Sequence, residues 1–416
     1  MDRSPGRRVS CWAVPLILSN PVRAYAWGSP TVIPELLDVP PTGEPQAELW
    51  IGAHPGAPSI VDVAGVRLTL AELIQKDPEG MLGPATVRRF GPRLPYLLKI
   101  LAIDQPLSIQ AHPTIEQADR GFAAEEAAGV PVDAPHRLYR DRMHKPEMIV
   151  ALTDVTALLG FRQPAEAADL IAELEIPDLR DDAATLRQAG LERVVRRWLL
   201  MPEDEVAARV AAVVEAAGKL TTELCHLIAR LGERYPGDRG VLLALLMRYE
   251  RLHHGEAVFI PAGVPHCYLS GVAVEPQAGS DNTLRAGLTP KHVDTAELAR
   301  VLRYEAEGGL RVVSQQVGPH HAVFAPPVDE FQLAELALQD VAVTLGADEP
   351  RIVLVTAGSA QVSAGDDTVR LARGRAAFVP ASEGAATILG TGTAYVVSPG
   401  QIWPILHDES RLVQSD

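Results

Sequence analysis

Three short segments carry side chains whose types and spacing fit a metal ion. In "LSIQAHP", Gln110 and His112 stand two residues apart, and the period of an extended strand puts both on one face, toward the inside of a barrel. In "MHKPEM", Pro146 holds the chain extended, so Lys145 and Glu147 share a face while His144 points the other way. His266 closes "GEAVFIPAGVPH", a G-x5-P-x-G-x2-H pattern that reads as a glycine- and proline-bent corner aiming its histidine inward. A lone histidine on an apolar strand is ordinarily just hydrogen-bonded within the core. The pairing with Gln110 and the recurrence in a second segment weigh against that reading here. Two imidazoles, one carboxylate and one neutral amide oxygen suit zinc with a position left open for water or substrate, and manganese, iron or cobalt would also fit.

A fourth segment, "VEPQAGSDNTLRAGLTPKHVD", follows His266 closely and supplies Glu275, Asp281, Arg285 and Lys291. By composition alone it is a polar loop after a strand; its place beside the histidine makes it a candidate for handling developing negative charge. Lysine is scarce in this arginine-rich chain, occurring only at Lys76, Lys99, Lys145, Lys219 and Lys291. A compact, titratable amine is what lysine offers and arginine does not.

The elements that position these groups can be read from the texture of the chain. Up to about Leu158 short apolar segments alternate with turn residues, which predicts mostly β structure with a helix or two, one of them over "IEQADRGFAAEEAAG". From Pro164 to Leu252 apolar residues recur at three- and four-residue spacing, as in "AATLRQAGLERVVRRWLL", and predict a helical block. Strands return at Gly255. The fold class expected is mainly β with a helical insertion: two jelly-roll β domains plus an α-helical domain. The boundaries expected are 1–160 with 253–321 for a discontinuous metal-binding domain, 161–252 for the helices, and 322–416 for a second β domain.

Composition narrows the function classes. The 416 residues are 47% hydrophobic and 22% charged, too many for a single core and without the run of roughly 20 apolar residues that a membrane helix needs. A net charge of −15 argues against nucleic acid, which asks for a basic stripe. Cys11, Cys225 and Cys267 are far apart and form no CxxC pair, which suits a reducing cytoplasm and no thiolate metal site. The basic start and apolar run "MDRSPGRRVSCWAVPLIL" are broken by Pro15 and lack a small-residue cleavage site, so a buried strand after a basic tail is expected rather than a signal peptide.

The corner at Gly255 resembles the second motif of the cupin superfamily, with Ser270 where an asparagine is usual. The ordered set "AYAWG", "AELWIGAHP", "LPYLLKIL", "LSIQAHP", "HKPEM", "FIPAGVPH" and "SDNTLRAGLTPKHVD" resembles the type I phosphomannose isomerases over most of the chain, from about Arg23 to Asp294. The resemblance implies cupin-type β domains, one zinc ion per chain, and interconversion of mannose 6-phosphate and fructose 6-phosphate through a cis-enediol. It places zinc ligands at Gln110, His112, Glu147 and His266 and the essential arginine at Arg285. His54, Ser108, Lys99, Lys145 and Asp281 also fall at active-site positions. The partner implied is a small phosphosugar; with the composition, a protein of the cytoplasm is expected, a monomer with an oligomer left open, and neither membrane nor nucleic acid involved.

Within that frame the proton must leave C2 and return to C1. Lys145, beside a divalent cation whose field favours a neutral amine, is the preferred base; Asp281 or Glu275 is the alternative. His54 would assist ring opening, and Ser108 with Lys99 would meet the phosphate. Two other readings compete: a cupin iron oxygenase using His112, His266 and Glu147, and a cupin that binds sugar without turning it over. A last observation is a repeat: "GRAAFVPASEGAATILG", Gly374 to Gly390, copies Gly255 to Gly271 with Ala385 at the place of His266 and Ser382 at that of Gly263. The second barrel is expected to keep the fold without metal ligands.

Overall fold

In the computed structural model, which describes residues 15–306 and 308–400 and the backbone of the strand Leu412–Gln414, the run after Pro15 forms the strand Leu16–Leu18. Leu16 and Leu18 are buried and Ile17 is half exposed, the alternation that one covered face requires. Cys11 and the basic start lie outside the described residues.

The chain divides into two compact units. One holds Pro30–Ile100 and Ser314–Pro404, with the stretch up to Ala24; the other holds Tyr25–Ser29, Leu101–Val313 and, at the end of the chain, the strand Leu412–Gln414. This packing division is drawn differently from the expected domain boundaries, because strand pairing joins distant segments. In the first unit Leu16 lies opposite Phe378, and the Tyr96 hydroxyl donates to the Pro350 carbonyl at 2.8 Å.

The first unit is built on an antiparallel sheet in which Ala376–Val379 pairs with Arg351–Ala364, that strand with Ala386–Ser398, and that with Gln332–Gln339. His321–Phe324 and Gln315–Gly318 continue it. Val353, Val355, Val362, Ala377, Ile388 and Val396 fill the interior. Besides the helix Val32–Leu37, the same unit contains three short helices in succession, Leu70–Lys76, Pro78–Leu82 and Pro84–Phe90, more helix than the sequence reading expected before Leu158. Their cause is local: a capping box joins Thr69 and Glu72, and prolines open the next two helices, where a missing N–H costs nothing.

In the second unit Glu147–Ala151 pairs with both Ala257–Ile260 and His266–Ala278. His266–Ala278 also pairs with Val155–Phe161, and His266 lies opposite Gln110. The expected helix appears at Ile115–Ala127, opened by a capping box between Thr114 and Gln117. The helical block runs from Pro164–Glu173 to Arg239–Leu246. Leu191, Val194, Val195, Trp198 and Leu199 face inward from one of its helices, as their spacing requires.

One carboxylate ties that block to the strand Leu284–Gly287. Asp238 caps the helix Arg239–Leu246 by accepting from the Gly240 N–H at 2.7 Å, and it also accepts from the Leu288 N–H at 3.0 Å. Gly287, at φ 147°, passes so close that a Cβ there would meet the Asp238 carboxylate and the Gly240 backbone. Asp238→Ala should cost about 1–2 kcal/mol, by loss of the cap and of the strand's anchor. Thermal unfolding of the purified variant checks this; an unchanged midpoint would mean that water replaces the carboxylate at no cost.

Candidate metal centre

Strand alternation delivers the expected groups to one place in the second unit. His112 follows the strand Ile109–Ala111, Glu147 opens Glu147–Ala151, and His266 opens His266–Ala278. All three are at most 1% exposed. One ligand atom from each lies within 4.8 Å of the others. Glu147 Oε2 is 3.1 Å from His112 Nε2, and Oε1 is 3.0 Å from His266 Nε2.

The remaining ring nitrogens fix the tautomers. His112 Nδ1 lies 2.8 Å from the Asn282 carbonyl and His266 Nδ1 lies 3.1 Å from that of Val264. A carbonyl can only accept, so both Nδ1 atoms carry hydrogen and both Nε2 lone pairs face the carboxylate. His266 Nε2 is buried and makes no hydrogen bond despite its nearness to Glu147. A lone pair beside an anion is repelled; a cation between them satisfies both, so the donor set fits a divalent metal ion.

Protonation agrees. Burial, reinforced by the Lys145 ammonium, pushes His112 down to about 4 against the opposing pull of Glu147. Burial alone would raise the Glu147 carboxyl, but the opposing pull of its neighbours, the Lys145 ammonium foremost, holds it well below the usual carboxylate range. At neutral pH the site therefore offers a neutral His112 imidazole and an ionised Glu147, the forms that bind metal.

Around this set stand the other expected residues. Lys145 Nζ donates to Glu147 Oε2 at 3.1 Å and lies 3.4 Å from His112 Nε2. Half-buried Gln110 sits opposite His266 on one side and opposite Arg285 on the other, which puts the three on one face. Burial, with Arg140 nearby, pushes Arg285 below the usual guanidinium value. Ser108 is half buried and precedes Gln110 by one strand period. Glu275 is buried on the His266 strand, and Asp281 is exposed, its N–H donating to Asp141 Oδ2 at 3.0 Å.

His54 and Lys99 belong to the first unit and gather around Trp50. The His54 ring meets the indole edge-on at 4.9 Å, and Lys99 Nζ lies 5.4 Å from the indole centroid and 3.9 Å from Glu48 Oε1.

Sequence reasoning missed Tyr268 and Asn282. The Tyr268 hydroxyl donates to Glu147 Oε1 at 3.1 Å. Its signal was available, since it follows His266 by two on the same strand. Asn282 acts through its backbone carbonyl and is held by Nδ2 donation to the carbonyls of Asp141 and Met143, both at 2.8 Å; no residue pattern announces that.

Fold and donor set define a jelly-roll protein of cupin type with a candidate divalent-metal centre. Residues 16–164 match the family model of the phosphomannose isomerase type I catalytic domain, and residues 321–399 match that of the mannose-6-phosphate isomerase cupin domain. Mannose-6-phosphate isomerase of Escherichia coli (strain K12) is 38% identical over 383 residues, 90% of this chain and 97% of the relative. The Homo sapiens enzyme of that name is 31% identical over 407 residues, 88% and 93% of the two chains. A crystal structure of a mutant phosphomannose isomerase from Salmonella typhimurium superimposes with a TM-score of 0.88 at 35% identity, covering 94% of this chain and 100% of that one. A zinc-bound mannose 6-phosphate isomerase structure does so with a TM-score of 0.86 at 35% identity, covering 93% and 99%. The chain belongs to the type I phosphomannose isomerase family.

Removing the hydroxyl that steadies Glu147 tests the geometry. Tyr268→Phe should weaken metal binding about 10- to 100-fold, as read by competition with a chromophoric chelator. Unchanged affinity would show that the carboxylate needs no such support.

Proposed function

We propose that this protein interconverts mannose 6-phosphate and fructose 6-phosphate, with one zinc ion held by Gln110, His112, Glu147 and His266. The observation that carries the reading is the buried carboxylate between two imidazoles whose Nε2 lone pairs face it, in a chain of this family. When bound, zinc supplies a Lewis acid for negative charge on the C1 and C2 oxygens.

The chain's own residues do the rest. Lys145, adjoining the donor set, moves the proton from C2 to C1 on one face of the enediol. Its position supports it over exposed Asp281; Glu275, buried on the His266 strand, is the alternative. Arg285, beside Gln110 in register, contributes a fixed cation that does not titrate at neutral pH and favours charge on the enediol oxygens. His54 is assigned to ring opening, and Ser108 and Lys99 to the phosphate.

The form proposed is a monomer. The buried thiols Cys225 and Cys267 are unpaired, which supports a cytoplasmic setting; no helix among the described residues is long and apolar enough to cross a membrane. The domain reading proposed is a metal-binding barrel interrupted by the helical block, followed by a second cupin barrel.

A coupled assay for fructose 6-phosphate formed from mannose 6-phosphate should lose its signal on chelation and regain it when zinc is restored. Absence of turnover in a protein that still holds one metal per chain would sink the assignment. Arg285→Ala should lower turnover by at least 100-fold while leaving bound zinc near one per chain by elemental analysis; loss of zinc instead would make the arginine structural.

A further inference from the structure

The second barrel has a pocket where the first has its metal centre, with the charges inverted. Ile260 and Val379 are each the fifth residue after the glycine that opens the repeated segment, Gly255 in one and Gly374 in the other. Ile260 lies opposite Glu147, and Val379 lies opposite Arg351. Arg351 therefore occupies the register position of the candidate metal carboxylate. The flanking residues follow suit: "HKPEM" around Glu147 is matched by "DEPRI", with Glu349 at the place of Lys145 and a proline between in both. With a guanidinium for Glu147 and Ala385 for His266, this end of the barrel cannot hold a metal ion by the same donors.

It is nevertheless hollow. A cavity of about 290 Å³ opens there, lined by Gln315, His321, Gln332, Glu349, Arg351 and Ser398 among its polar groups. The pairs His321/Val323, Gln332/Ala334 and Val396/Ser398 are each two apart on neighbouring strands and line the same space, as alternation on one barrel face dictates; Arg351 opens the next strand, and Glu349, in the turn before it, lines the space too. Arg351 is 1% exposed. Its two terminal nitrogens donate to the carbonyls of Gly346 and Gly384, while its Nε–H has no partner. A buried donor left unmade is costly, and it belongs to a residue that lines the cavity. The Gln332 side chain donates to Ser398 Oγ at 3.1 Å.

The charges specify the ligand class. Burial raises the Glu349 carboxyl against the opposing pull of Arg351, so the two charges counter each other, and burial lowers the His321 pKa, which favours the neutral imidazole. Neither an anion nor a cation finds a net countercharge. Hydroxyl groups, which donate to a carboxylate and accept from a guanidinium, satisfy both. The volume lies at the lower end of the roughly 300–1,000 Å³ typical of small-molecule pockets and admits one small molecule. We propose that the second barrel holds a metal-free pocket for one neutral, polyhydroxylated molecule of monosaccharide size.

The test is ligand-observed saturation-transfer NMR on the full-length, zinc-loaded protein, with D-mannose and mannitol as probes and mannose 6-phosphate in excess to occupy the first barrel. At least one probe should keep its signal under excess phosphosugar, and its affinity should fall tenfold or more in both Glu349→Ala and Ala334→Leu. Arg351 is left intact because it clasps two turns; circular dichroism melting identifies a variant that does not fold, and the other then decides. Isomerase activity should be unchanged in the folded variants. No signal from either probe, displacement by mannose 6-phosphate, or unaltered affinity in the folded variants would each overturn the proposal.

Discussion

A carboxylate buried to 1% exposure is the constraint on which the site depends. An unpaired charge at that depth costs several kcal/mol, so Glu147 cannot stand alone. The Lys145 ammonium and the Tyr268 hydroxyl donate to it, and two imidazoles turn their Nε2 atoms toward it. The imidazoles are held in turn: His112 through the Asn282 carbonyl, His266 through that of Val264. Asn282 is itself pinned, with Ser280, by Asp141. The order runs outward from one charge to the loops, and a metal ion bound among these donors would reinforce the same arrangement.

The repeated corner shows how a barrel separates stability from chemistry. In the second copy Ala377, Val379, Ala386 and Ile388 are fully buried, as core positions must be, while the ends of the inward faces are free to vary. Ala385, at the place of His266 in the repeat, is exposed just before the strand Ala386–Ser398 and offers no donor. The glycines that make the bends persist, Gly255 at φ 82° and Gly374 at φ 76°, because the turn needs a conformation that other residues rarely adopt. Gly263, at φ 80°, is replaced by Ser382 in a short 3-10 helical turn, Ala381–Glu383, so that corner is built differently.

What was legible in the sequence follows from the range of the interaction. Period-two spacing in "LSIQAHP" and around Pro146 exposed Gln110, His112 and Glu147, and helical spacing exposed the block after Pro164, because both are short-range patterns. Recognition of the family then supplied Arg285, whose role spacing alone did not give. The pairing of Leu16–Leu18 with Ala376–Val379 was illegible, since it joins the two ends of the chain and depends on register. The clustering of Glu48 and Lys99 on Trp50 is likewise tertiary. The short helices after Thr69 were readable through their capping box but lay below the length at which apolar periodicity speaks.

An acidic chain that handles a phosphosugar must set aside positive charge locally, and the second unit does so. Lys291 Nζ lies over the Tyr25 ring at 5.4 Å, and Arg140 and Tyr25 both bear on Arg285. Burial first, and Arg140 as a like charge second, lower the affinity of Arg285 for its proton. Two cations held within each other's field are an expense to the free protein. Repulsion of that kind is relieved by an anion between them, through hydrogen bonds stronger than neutral ones. With a net charge of −15 over the whole chain, the long-range field opposes such a ligand. Short-range cations must therefore do the attracting, inside about one Debye length.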